Sequence, residues 1–102
     1  MFLVKIDISR NYLDNIDVLN QFQSLKVIIA GDNYIQSINL QLPNLSELDL
    51  RNNFMIKVPN LSLTPQLQTL VLNANNISEV KLKCRKENFL TVRKIVLRNN
   101  KI

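Results

Sequence analysis

The 102-residue chain has no His and no Trp, and only one Cys and one Gly. Without His it lacks the side chain most often used as a general base and the commonest neutral metal ligand. One Cys excludes an intrachain disulfide framework and a Cys-cluster zinc site. One Gly excludes a glycine-rich phosphate loop, which needs several. No apolar run approaches the ~18 residues of a membrane-spanning helix. The opening Met-Phe-Leu-Val stretch stops at Lys5, too short for a signal peptide. These absences point away from an enzyme and from any cofactor or metal, and toward a domain that binds rather than reacts. What is present, 46% apolar residues against 21% charged, is enough for one small soluble domain with a packed core.

The apolar residues recur in a fixed frame. Asn11, Asn33, Asn53, Asn75 and Asn100 lie 22, 20, 22 and 25 residues apart. Each has apolar residues eight, five and three positions before it and another two after. The frames are Leu3-Ile6-Ile8-Asn11-Leu13, Leu25-Ile28-Ala30-Asn33-Ile35, Leu45-Leu48-Leu50-Asn53-Met55, Leu67-Leu70-Leu72-Asn75-Ile77 and Val92-Ile95-Leu97-Asn100-Ile102. At 46% apolar composition, filling every such position by chance has a probability on the order of 10⁻⁷.

The frame has a direct physical meaning. An apolar-x-apolar alternation places two side chains on one face of a short strand and the intervening positions on the other. A strand recurring every ~20–29 residues stacks on its predecessor as a parallel sheet, each turn burying its apolar side against its neighbours. The Asn falls where the chain leaves the strand and bends inward. Its amide can donate to and accept from backbone groups of that bend, so Asn11, Asn33, Asn53, Asn75 and Asn100 are expected to form a structural ladder.

This pattern, LxxLxLxxNxL over five turns, resembles the leucine-rich repeat family across residues 3–102. The ~22-residue period, with Ile16, Ile38, Val58 and Val80 each five residues after an Asn, is similar to the family's short subclass, typified by regulatory subunits of protein phosphatase 1. The segment Leu42-Pro43-Asn44-Leu45-Ser46-Glu47-Leu48-Asp49-Leu50-Arg51-Asn52-Asn53 is near that consensus. Ala30 at a Leu position, three extra residues in the fourth turn and a fifth turn ending at its Ile depart from it. The resemblance implies a single α/β solenoid domain over residues 1–102: a right-handed coil with a five-strand parallel concave sheet, an irregular or 3₁₀ convex side and uncapped ends. Its fifth repeat is incomplete.

The return half of each turn is less regular. Ile16, Leu19, Phe22 and Leu25 fall every third residue, as in a 3₁₀ segment. Pro59 and Pro65 around Leu61 and Leu63 predict extended backbone in the third turn. Val80, Leu82 and Cys84 alternate. Phe22, Leu42 and Phe89 each stand three residues before the next frame and are expected to form a second buried column.

The outward strand positions form three columns: Lys5, Val27, Glu47, Thr69 and Lys94; Asp7, Ile29, Asp49, Val71 and Val96; Ser9, Gly31, Arg51, Asn73 and Arg98. Four exposed apolar positions among charges of both signs are what an interface looks like, though β-branched residues also favour strands for their own sake. Tyr12, Tyr34 and Phe54, each following an Asn, are expected along one edge as contact anchors, or as a shield for the turn.

Charge is uneven: residues 79–102 carry eight Lys/Arg and two Glu, whereas residues 1–78 carry five and six. Lys81, Lys83, Arg85, Lys86, Arg93, Lys94, Arg98 and Lys101 suit nucleic acid, anionic lipid or an acidic protein face, or simply a solvated surface. With Phe89 the sole aromatic there, the stacking platform for single strands is missing, so nucleic acid is not the favoured partner. Cys84 reads as a small buried hydrophobe. Asn44, Asn60 and Asn76 match the N-glycosylation pattern but are read as composition.

The expectation is therefore a non-enzymatic protein–protein interaction module or scaffold, binding a protein partner on the concave face in the cytoplasm, or alternatively the nucleus. The alternatives are binding to nucleic acid or an anionic surface through the basic quarter, or a fragment of an extracellular repeat receptor. Frames that reach both ends without a polar cap also predict a longer array or end-to-end self-association.

Overall fold

A computed structural model describes residues 2–81 and 92–102. Its five strands, β1 (Lys5–Asp7), β2 (Val27–Ile29), β3 (Glu47–Asp49), β4 (Thr69–Val71) and β5 (Lys94–Val96), form one parallel sheet in chain order. The parallel strands follow one another turn by turn, so the domain is a β-solenoid of about four turns. The register is the alignment of the frames: Ile6, Ile28, Leu48, Leu70 and Ile95 stand side by side. Among the described residues there is no α-helix. The helical element is a single 3₁₀ segment, Asp17–Gln21, where the third-residue spacing places it. No described helix is long and apolar enough to cross a membrane.

The core runs up the axis of the coil in columns. Leu25, Leu45 and Leu67 form one, and Ile28, Leu48 and Leu70 the next. Ala30, Leu50 and Leu72 follow, then Ile35, Met55 and Ile77, and all twelve are buried. Corresponding residues of the first and fifth turns, Leu3, Ile6, Ile8, Leu13, Val92, Ile95 and Leu97, are partly buried. Burying each Leu or Ile contributes roughly 1.5–3 kcal/mol, so the middle turns carry most of the stability.

The return segments close the coil through i→i−3 backbone bonds. Leu19 N–H donates to Ile16, Phe22 to Leu19, Leu25 to Phe22, Leu45 to Leu42, Thr64 to Leu61 and Leu67 to Thr64. The second column holds at Leu42, which is fully buried, and at Phe22, which packs partly against the core. The third turn fills the place with buried Thr64, whose hydroxyl donates to the Leu61 carbonyl. Phe89, Cys84 and Leu82 lie outside the described residues. Of the four residues five positions after each Asn, Ile16 and Val58 are buried and Ile38 is partly buried, but Val80 is 42% exposed. Side chains also join the first two returns: Asp17 Oδ1 accepts from Asn39 N–H and Asn20 Oδ1 from Gln41 N–H.

The Asn ladder forms. Asn53 Nδ2 donates to Leu50 and Arg51 in its own turn and to Ala30 in the turn before, while its Oδ1 accepts Ile35 N–H at 3.0 Å. Asn75 and Asn100 repeat the pattern on Leu50 and Met55, and on Leu72 and Ile77. Asn33 does so on Ile8 and Leu13, and accepts Asn11 N–H as well. Each of these four Asn thus ties two turns together, whereas the Asn11 side chain bonds only Ile8 and Ser9 of its own turn.

A feature absent from the apolar frame is the backbone just before each ladder Asn. Arg10, Asp32, Asn52, Ala74 and Asn99 all have φ between 53° and 62°. Asn and Asp tolerate this left-handed region, but Ala has no polar side chain to help and the conformation costs roughly 1–2 kcal/mol. Glycine removes that strain while losing more unfolded-state entropy. Ala74→Gly is therefore expected to stabilise the domain by about 0.5–1 kcal/mol, read as a higher urea midpoint at unchanged slope.

Candidate functional site: the outward sheet face

The three predicted columns lie side by side on the sheet. Lys5, Val27, Glu47, Thr69 and Lys94 are in register, as are Asp7, Ile29, Asp49, Val71 and Val96. The ladder extends one step further: Arg10 N–H donates to Gly31, Asp32 to Arg51, Asn52 to Asn73 and Ala74 to Arg98. Lys5, Asp7, Glu47, Arg51, Lys94 and Arg98 are exposed, whereas Val27, Ile29, Thr69, Val71, Asn73 and Val96 are half-buried. Four β-branched aliphatic side chains thus remain partly open to solvent, with cations and carboxylates around them.

Asp49 departs from the expectation of an exposed position, since only 7% of it is accessible. Arg51, two residues on and on the same side of the strand, lies against it. Nε donates to both carboxylate oxygens at 3.0 Å, Nη2 to Oδ2 at 2.7 Å, and the Arg51 N–H to Oδ1 at 3.1 Å. Gly31 makes room for this arrangement. A Cβ there would stand 2.9 Å from Arg51 Cγ and 3.3 Å from its carbonyl oxygen, so the aliphatic stem of Arg51 rests over the one glycine. The hydrogen bonds to Asp49 and its negative charge raise the Arg51 pKa further above its ordinary value. Asp7, in the same column, accepts from the Ser9 hydroxyl at 2.7 Å and the Ser9 N–H at 3.1 Å, and these bonds lower its carboxyl pKa. An Asp-x-Arg on alternate strand positions is the sequence signal for the Asp49–Arg51 pair, whereas its burial depends on Gly31 one turn earlier.

The aromatic edge assembles as well. Tyr12 and Tyr34 stack with ring centroids 5.7 Å apart, and Tyr34 and Phe54 at 5.6 Å with rings 8° from parallel. The stack is offset, and all three rings remain exposed to solvent. Beside them Arg10 approaches Asp32 at 3.9 Å, and Asn52 Nδ2 donates to Asp32 Oδ1 at 2.8 Å. A shallow recess of about 300 Å³ runs between these polar and aromatic rows. A second recess, about 530 Å³, lies on the return side between Gln36, Ile56, Pro59 and Lys81. It comes from the irregular half of the coil, where periodicity gives no signal.

Among the described residues no three His, Cys, Asp or Glu gather as metal ligands. Of the basic quarter, Arg93, Lys94, Arg98 and Lys101 make no ion pair among the described residues, whereas Lys81 pairs with Glu79 at 3.3 Å. Lys83, Arg85 and Lys86 lie outside those residues. Asn44 and Asn60 of the Asn-x-Ser motifs are exposed, and Asn76 is half-buried. Comparison of the chain with protein-family models and with curated proteins returns no match.

Proposed function

We propose that the chain is a leucine-rich-repeat-type interaction module, without catalysis of its own, which grips a protein partner on the outward sheet face. The observation carrying this reading is that Val27, Ile29, Val71 and Val96 stand half-exposed on one face around the fixed Asp49–Arg51 pair. Apolar area interrupted by held charges buries well against a complementary protein, and fixed side chains lose little entropy on binding. The repeat supports the family assignment through its Asn ladder and strand spacing. A cytoplasmic or nuclear setting goes with the reading.

Affinity capture with wild-type and Val71→Glu baits tests it, once circular dichroism has matched their folding. A protein retained by the wild type should be lost from the variant, since a carboxylate in a desolvated contact costs on the order of tenfold or more in affinity. Equal retention of every captured protein by both baits contradicts the proposal.

The reading as a nucleic-acid or anionic-surface binder draws on Arg93, Lys94, Arg98 and Lys101, which make no ion pair among the described residues. It requires binding that weakens steeply with salt.

A further inference from the structure

The sheet face is electrically divided. Its β1–β3 side carries Asp7, Glu47 and Asp49, whereas the outward positions of β4, β5 and the step beyond them are Thr69, Val71, Asn73, Lys94, Val96 and Arg98, without a carboxylate. Lys94 and Arg98 are exposed and without an ion pair among the described residues. Arg51 borders this region from β3. Asp49 occupies its Nε–H and one Nη2 hydrogen, so the Nη1 pair and the second Nη2 hydrogen have no partner among the described residues. A guanidinium has five such donors, and those left over are already fixed in place. Arg51 and Arg98 are two strands apart, about 10 Å at ~4.8 Å per strand, with Val71 and Val96 in the adjoining column.

Resting on the interaction reading above, we propose that this half of the face takes an acidic segment of a partner protein whose Asp or Glu side chains meet Arg51, Lys94 and Arg98 while branched apolar side chains cover Val71 and Val96. Charge complementarity selects the occupant. Carboxylates form short, charge-assisted bonds with guanidinium groups; Lys94 and Arg98 have no ion pair among the described residues, and Arg51 keeps its remaining donors while paired to Asp49. The valines favour a polypeptide over nucleic acid, because they offer apolar surface, and no aromatic ring stands at these outward positions to stack a base. A segment of a few residues suffices, since an extended chain covers ~3.3 Å per residue.

The test is selection of random twelve-residue displayed peptides on the wild-type protein, followed by affinity measurement of the selected peptides against Lys94→Glu with Arg98→Glu and, separately, Val71→Glu. Both substituted cations are exposed, and thermal unfolding by circular dichroism checks that the variants keep the fold. The expected pool is rich in Asp and Glu together with Leu, Ile or Val. Its members should lose about tenfold or more on the double charge reversal, and bind Val71→Glu poorly. A pool without acidic enrichment, or acidic peptides indifferent to the reversal, overturns the inference. If such peptides still fail on Val71→Glu, the interaction reading survives. Peptides indifferent to all three substitutions remove both. Displacement of the selected peptides by oligothymidylate at low salt, with the oligonucleotide binding more tightly, also overturns the inference, in favour of nucleic acid.

Discussion

Asn53→Ala should destabilise the domain by about 2–4 kcal/mol, among the largest effects of any polar substitution in the chain. The bonds it breaks are unequal. The carbonyls of Ala30 and Leu50 are each shared with a second ladder Asn, and that of Arg51 also accepts Asp32 N–H, so none is orphaned. Ile35 N–H, in contrast, donates to Asn53 Oδ1 in a buried place and has no other acceptor among the described residues. An unsatisfied buried donor costs about 1–3 kcal/mol, and the space left by the amide adds to it. Asn11→Ala provides the control. Asn11 is exposed, its Nδ2 bonds only Ile8 and Ser9 of its own turn, and its loss should cost under about 1 kcal/mol. Urea unfolding of the two variants checks the contrast, and equal effects would mean that the ladder does not tie the turns together.

Leu70→Ala should cost about 3–5 kcal/mol, because its side chain is fully buried between Leu48 and Ile95. A solenoid cannot close such a cavity easily: each turn is held in register by its neighbours on both sides. Ile6→Ala, at the same place in β1, should cost distinctly less, since Ile6 is only partly buried with one neighbouring strand. With about 4–8 °C lost per kcal/mol in a domain of this size, thermal unfolding separates the two variants clearly. A Leu70→Ala protein no less stable than Ile6→Ala would contradict the continuous axial core.

The sheet was legible in the sequence because parallel stacking of equal frames makes register the same thing as repeat alignment. Aligning five Asn residues therefore placed Lys5 beside Val27 and Val71 beside Val96, without any information on backbone geometry. The ladder was legible for the same reason, and its chemistry follows from an amide that both donates and accepts. What escaped was set by contacts between turns at positions outside the frame. Asp49 looks like an exposed strand residue until the stem of Arg51 and the space above Gly31 cover it. The left-handed backbone before each Asn is masked by Arg10 and Ala74, residue types that carry no signal for it. The return segments vary because the convex path tolerates either Leu42 or Thr64 in one place, provided the i→i−3 bond is made. On the exposed outward positions the frame imposes nothing beyond their alignment.

Amide hydrogen exchange of Leu13, Ile35, Met55 and Ile77 tests the central claim, a stack of turns cross-tied by asparagine, more directly than any variant. Each of these N–H groups lies outside the strands and donates to the side-chain oxygen of the next turn's ladder Asn. Protection at Ile35 and Met55 should approach that of Leu48 and Leu70, because opening either bond requires separating two turns. Exchange of both at the rate of the exposed residues Gln36 and Ile56 beside them would contradict the account.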